Sequence, residues 1–255
     1  MIFNNFQLHE IITLNKLCAQ IILENGGETY RAEETVTRIC HSLDLESEII
    51  AIPTGVFITL GKDRIHMNTV IKRIKKRTVN LSAIHQVNNI SRNIVKGELS
   101  VQDALEQLHK LHDEKSNHKL LFFFSAAVSS GFFALLLGGE LTDFIVAAIC
   151  GIVVHLMSHW IKIEDMFNFA ISIIGGASIA IIAILCVTLL NNGNLDKIII
   201  GAMTPLLPGL AMTTAVRDAM RGDLLSGVAS ASEALLVAIA LAFGVGVILK
   251  IYYGL

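Results

Sequence analysis

The sequence predicts an α-helical integral membrane protein: about five transmembrane helices preceded by a small cytoplasmic α+β domain. Three observations carry that prediction. Hydrophobic residues make up 53% of the 255 and charged residues only 16%, with a mean hydropathy of +0.61. Soluble domains carry about 25% charged residues. The charges are also unevenly spread, with 14 of the 20 Lys and Arg lying before His118. Beyond that point come five apolar stretches, at 120–138, 144–160, 169–190, 198–216 and 224–249. Each approaches or exceeds the ~20 residues that cross the hydrocarbon as a helix. The chain therefore divides into a soluble part, residues 1–116, and a membrane bundle, residues 117–255.

The soluble part opens with two helices. Leu8, Ile11, Ile12, Cys18 and Ile22 recur at helical spacing and predict a helix over 7–25. Gly26-Gly27 stops it, because glycine accepts the left-handed position after a helix. Thr29 then reads as the N-cap of a second helix with a stripe of Val36, Ile39, Cys40 and Leu43. The period changes to two over 48–52, 56–60 and 64–68, which predicts three short strands joined by turns at 53–55 and 61–63. Two more helices follow, one capped by Asn80 and one by Ser100 with Asp103 at the capping-box position. The order ααβββαα is a small α+β domain. Its polar candidates, Glu24, Glu28, Arg31, Glu34, His41, His66 and His85, form no nucleophile, metal or phosphate motif, and Gly26-Gly27 lacks phosphate-loop spacing. No enzyme and no cofactor is expected.

Bulk charge excludes little else. A net charge of −2 makes no case for nucleic acid. The basic run Lys72, Arg73, Lys75, Lys76 and Arg77 is either a solvated face or a contact for anionic lipid headgroups. Cys18, Cys40, Cys150 and Cys186 have no metal or disulfide spacing. The N-terminus lacks a basic n-region and a cleavage site, so no signal peptide is expected.

In the membrane part, loop charges set orientation. Lys and Arg are abundant before the first helix, absent from 139–142, and present as Lys162 after the second helix, Lys197 after the third and Arg217 and Arg221 after the fourth. This bias puts the N-terminal domain in the cytoplasm and the C-terminus outside the cell (inner) membrane. Small residues such as Ser129-Ser130-Gly131, Gly175-Gly176-Ala177 and Gly244 favour a closely packed bundle.

Several polar residues interrupt the apolar stretches. Thr204-Pro205-Leu206-Leu207-Pro208-Gly209 puts two prolines and a glycine in one segment, so the fourth helix should kink or unwind. That break is either structural or, as in transporters, the substrate site. Thr213, Thr214, Arg217 and Asp218 follow at the cytoplasmic end. Arg217 could hold a substrate carboxylate, or it could anchor the interface with Asp218. Glu233 lies about ten residues into the last crossing, where a carboxylate could carry protons or bind a substrate ammonium. His155 and His159 share a helix face; with Glu164 or Asp165 nearby they could bind a metal or relay protons, or simply be amphipathic. Asp143 reads as a cap of the second crossing.

Two stretches then resemble the threonine/serine exporter (ThrE) family in its split form. One is Leu23-Glu24-Asn25-Gly26-Gly27-Glu28-Thr29-Tyr30-Arg31-Ala32-Glu33, with Pro53-Thr54-Gly55 and 87–92 downstream. The other is Pro205-Leu206-Leu207-Pro208-Gly209, then Ala215-Val216-Arg217-Asp218, 222–227 and Glu233-Ala234. The resemblance implies export of small hydrophilic metabolites, either threonine and serine or a dicarboxylate such as succinate. It also implies a small companion membrane subunit. The expected site is Pro205, Pro208, Gly209, Thr213, Thr214, Arg217 and Asp218, with Glu233 coupling to protons. Five helices without an internal repeat point the same way, to a companion subunit or a homo-oligomer. A membrane sensor whose soluble domain carries the activity is the alternative.

Overall fold

The computed structural model describes residues 5–62, 67–75, 77–113, 119–160 and 168–254. In chain order the helices are α1 (Asn5–Glu24), α2 (Thr29–Ser42), α3 (Leu81–Val95), α4 (Val101–Asp113), α5 (Lys119–Leu136), α6 (Leu141–Trp160), α7 (Asn168–Leu190), α8 (Leu195–Met203), α9 (Gly209–Met220) and α10 (Leu224–Tyr253). Strands β1 (Glu46–Ile52), β2 (Gly55–Gly61) and β3 (Met67–Arg73) lie between α2 and α3. Two compact units result, one of residues 1–115 with 210–231 and one of residues 116–209 with 232–255.

In the first unit α1 is the central element. It packs on α2, α3, α4, β2 and β3. Its apolar residues Leu14, Ile21 and Ile22 are fully buried, together with Ile39, Ile58, Leu60 and Leu108. The strands form one antiparallel sheet in the order β1-β2-β3. Alternation along β2 puts Val56, Ile58 and Leu60 in the core and turns Phe57 outward, in register with Ile50 and Ile71.

The first unit shows why its helices begin and end where they do. Gly26 has φ +82°, the left-handed region that glycine enters at little cost. The Gly27 amide donates to the Ile22 carbonyl (2.9 Å) and the Gly26 amide to Leu23 (3.3 Å), the paired bonds of a Schellman stop. Asn80 caps α3 through the Ala83 amide (3.1 Å), and Ser100 exchanges bonds with Asp103 at the start of α4. Two expectations need correction. The residue at the N-cap of α2 is Glu28, not Thr29, and its side chain makes no cap bond. The third strand runs Met67–Arg73, further on than expected. Val70 packs on the core and Lys72 pairs across from Val56, so part of the basic run is strand. Residues 63–66 and Lys76 fall outside the described residues.

Among the described residues, the regular elements of the second unit are all helices. Helix α7 has 23 residues and α10 has 30, about 35 and 45 Å at 1.5 Å per residue. Both exceed the ~30 Å hydrocarbon, and both are apolar enough to cross it. Leu195–Leu206 with Gly209–Met220 would make a third span only as an interrupted pair, and 121–136 and 141–157 are shorter apolar helices. The chain is thus a mostly helical membrane protein carrying a small sheet; among the described residues two helices, or three with the interrupted pair, have the length and composition of a span.

Close approaches hold the second unit together. A Cβ on Gly244 would sit 2.2 Å from the Ile173 carbonyl oxygen, and one on Gly176 would sit 2.4 Å from that of Leu241. Small residues are what let α7 and α10 meet backbone to backbone. At the start of α6, buried Asp143 accepts from the Glu140 amide (2.8 Å) and the Asn194 amide (2.7 Å). It therefore caps its own helix and ties down the turn before α8. His155 lies against the rings of Phe122 and Phe123. The His159 side chain, Glu164 and Asp165 lie outside the described residues.

The break expected at the two prolines is present, and it falls at the second of them. Thr204 remains helical before Pro205, which opens a 3-10 turn over Thr204–Leu206. Leu207, just before Pro208, is extended at φ −63°, ψ 139°. Proline Cδ pushes the preceding residue out of the helical region, which accounts for that conformation. Replacing Gly244 with leucine is expected to force α7 and α10 apart, at a cost of at least ~1–3 kcal/mol. Thermal unfolding in detergent should show a lowered midpoint, whereas Gly246→Leu, at a position with open space, should leave it unchanged.

Candidate functional site

The site is built in the first unit, where the loop between α1 and α2 meets α9. The Schellman stop at Gly26-Gly27 delivers Glu28 to the head of α2. Its carboxylate is 10% exposed, so it needs charged partners. Arg31, one turn on, donates Nε to one carboxylate oxygen at 2.7 Å. Arg217 of α9, 189 residues further along, donates Nη1 to the other. One carboxylate is thus shared by two guanidiniums. Glu28 cannot cap α2 in the usual way because its oxygens are already engaged.

Two further contacts join the same elements. The guanidinium of Arg221 lies 3.6 Å from the centre of the Tyr30 ring, a cation–π contact worth ~0.5–1 kcal/mol at an exposed position. Asp218 is 2% exposed and interacts with the Thr29 hydroxyl. Oδ1 and the Thr29 oxygen nevertheless fall short of hydrogen-bond geometry and have no other partner among the described residues.

Beside the shared carboxylate is a cavity of about 340 Å³, lined by Glu28, Arg31, Asn88, Thr213, Thr214 and Arg217 among others. Ligand pockets run from ~300 to 1,000 Å³, so this one suits a small molecule. The two guanidiniums are half exposed, at 42% and 50%, while Glu28 is buried. Dry ion pairs cost ~3–5 kcal/mol to break and surface pairs ~0–1. This arrangement lies between the two, firm enough to order the loop and weak enough to be exchanged. Chemically it can bind a small carboxylate, with hydroxyl and amide groups for the rest of the molecule.

Of the residues expected at the site, Thr213, Thr214 and Arg217 line this cavity, and Asp218 is buried on the same helix. Pro205, Pro208, Gly209 and Glu233 belong to the second unit. Glu233 is the tenth residue of α10 and is exposed. Sequence reasoning did not assign Glu28, Arg31, Tyr30, His85 and Asn88 to the site, since no local spacing links them to α9. The available signal was that the 23–33 stretch and the 215–218 stretch carried the same family resemblance.

Comparison with known proteins bears on that pairing. The family described as "Putative threonine/serine exporter", ThrE, matches residues 15–252. The chain belongs to the ThrE family. It is similar to "Pheromone-regulated membrane protein 10" of Eremothecium gossypii, 23% identical over 94% of this chain and 32% of that protein. It is also similar to the "Probable threonine/serine exporter" of Mycobacterium tuberculosis, 20% identical over 97% of this chain and 47% of that protein. The chain therefore spans a third to a half of the length of these curated relatives. No solved structure matches it. The two ThrE-like stretches are the ones that Glu28 and Arg217 join.

Glu33, on α2, makes the stability of the first unit depend on pH. Burial pushes its carboxyl above the usual carboxylate range, Asp223 and Asp218 push the same way, and the bond from the Ala51 amide opposes them (2.7 Å). A raised folded-state pKa means that its contribution to stability is complete below the unfolded value of ~4.3 and is lost as pH rises through the folded value. Glu33→Gln keeps an acceptor for Ala51 without the charge. Thermal unfolding from pH 4 to 7.5 is expected to show the variant gaining on the wild type as pH rises across that window.

Proposed function

We propose that this chain is a first-half subunit of a secondary exporter that moves small hydrophilic metabolites out of the cytoplasm in exchange for protons. The substrate is threonine or serine, or a dicarboxylate such as succinate. The observation that carries this reading is the cavity beside Arg31 and Arg217, with Thr213 and Thr214 on its wall. A guanidinium recognises carboxylate by parallel charge-assisted hydrogen bonds, and each of these substrates has a carboxylate. Membership of the ThrE family supports transport rather than catalysis.

Residues 1–116 are the cytoplasmic domain in this reading, and 117–255 form the membrane part, with Thr213 to Asp223 at its cytoplasmic end. The five crossings are α5, α6, α7, the interrupted α8–α9 and α10, which leaves the C-terminus outside the cell membrane. The break at Pro205, Pro208 and Gly209 frees backbone groups along the substrate path. Asp218, buried on α9 and facing Thr29, supports the wall of the site. Glu233, a carboxylate in an otherwise apolar stretch of α10, couples transport to protons. In this reading a small companion membrane subunit or further copies of this chain complete the pathway.

The test is flux in liposomes made with the chain alone and with its companion, loaded with threonine, serine or succinate under an imposed pH gradient. Gradient-dependent efflux of one of them is expected, and no flux from folded protein in either preparation would overturn the reading. Glu233→Gln is expected to cut gradient-driven efflux at least ~tenfold, as loss of a proton-transferring group does. Normal flux from that variant would remove Glu233 from the coupling role.

A further inference from the structure

The geometry points to Arg31 and Arg217 as a two-guanidinium receptor for one small carboxylate, a place that Glu28 takes as a built-in competitor. This rests on the exporter reading for its substrate class, and it adds what the N-terminal domain contributes. Glu28 demonstrates the fit: each of its oxygens meets a different guanidinium. A free carboxylate entering the cavity could make the same two contacts, because both arginines line it and both are half exposed.

The cavity continues past the carboxylate position to the hydroxyls of Thr213 and Thr214 and the carboxamide of Asn88. Thr213 and Thr214 donate to the carbonyls of Leu210 and Ala211 (2.9 and 3.0 Å), which leaves their oxygens as acceptors. These groups suit the polar far end of a hydroxy amino acid or a short diacid. With Glu28 displaced, the two arginines repel cations. The expected ligand class is therefore a small anion or zwitterion with at least one carboxylate.

Competition has a quantitative consequence. Apparent affinity falls by the fraction of molecules whose receptor is open. If Glu28 leaves about one receptor in ten open, removing its charge tightens binding about tenfold. A carboxylate that merely bridged the two arginines would give the opposite sign, since its loss would scatter them.

The experiment is calorimetric titration of the full chain in detergent, with succinate and L-threonine as probes and succinamide as the neutral control. Glu28→Gln should bind one of the carboxylates about tenfold more tightly than wild type, and adding Arg31→Gln to that variant should abolish the gain. Unchanged or weaker binding by Glu28→Gln, or full binding without Arg31, overturns the receptor. A measurement on unmodified protein guards against a variant that does not fold. Succinate or threonine should protect both Arg31 and Arg217 from phenylglyoxal, and protection of neither at saturating ligand overturns the receptor. Parallel liposome flux separates the two readings. Flux without these binding effects removes the receptor and leaves the exporter, whereas the binding effects without flux remove the exporter and leave the receptor.

Discussion

Glu28 is a carboxylate taken almost out of water, and the first unit is arranged around satisfying it. A buried charge is tolerated only when paired and hydrogen-bonded, because its lost hydration would otherwise outweigh anything else in the loop. The local chain supplies one partner, Arg31, and α9 supplies the other. The sharp stop at Gly26-Gly27 has a clear purpose in this light. A side chain at Gly27 would run into Ile22 at 2.5 Å, so the chain could not turn tightly enough to bring Glu28 to that spot.

The same constraint explains why a region rich in transporter-like features depends on an α+β domain. Helix α9 carries Arg217, Asp218 and the residues leading to Arg221. Each of the three finds its counterpart within 28–31, as an ion pair, a polar contact and a ring contact respectively. Four consecutive residues therefore read three positions of α9 and the turn that follows it. A single ion pair between half-exposed arginines and one carboxylate would define little. Three contacts of different chemistry define a register.

Much of this architecture is visible in the sequence, because it rests on local rules. Helical periodicity located α1 and α3, turn residues located the β1–β2 hairpin, and Asn80 and Ser100 marked their helices through short-range bonds. The interruption at 204–209 followed from proline's missing donor and its effect on Leu207. What the sequence could not reveal is non-local. Glu28 and Arg217 are 189 residues apart, and no period or spacing relates them. For the same reason local rules point to Thr29 as the N-cap of α2, whereas Glu28 occupies that position, held by nearby Arg31 and distant Arg217. The third strand, expected at 64–68, runs on to Arg73 because Val70 packs on the core and Lys72 pairs across from Val56, contacts that no local period shows.

The pairing of Glu28 with Arg217 is tested most directly by proximity in the native membrane. Cysteines would replace both residues, Glu28→Cys with Arg217→Cys, in a Cys186→Ser background whose remaining cysteines, Cys18, Cys40 and Cys150, are buried. A short thiol–thiol cross-linker should then join positions 28 and 217 within one chain, and either single replacement should give no product. If both cysteines react fully with a monofunctional maleimide yet never cross-link, the two stretches do not meet, and the account of the site built on them is wrong.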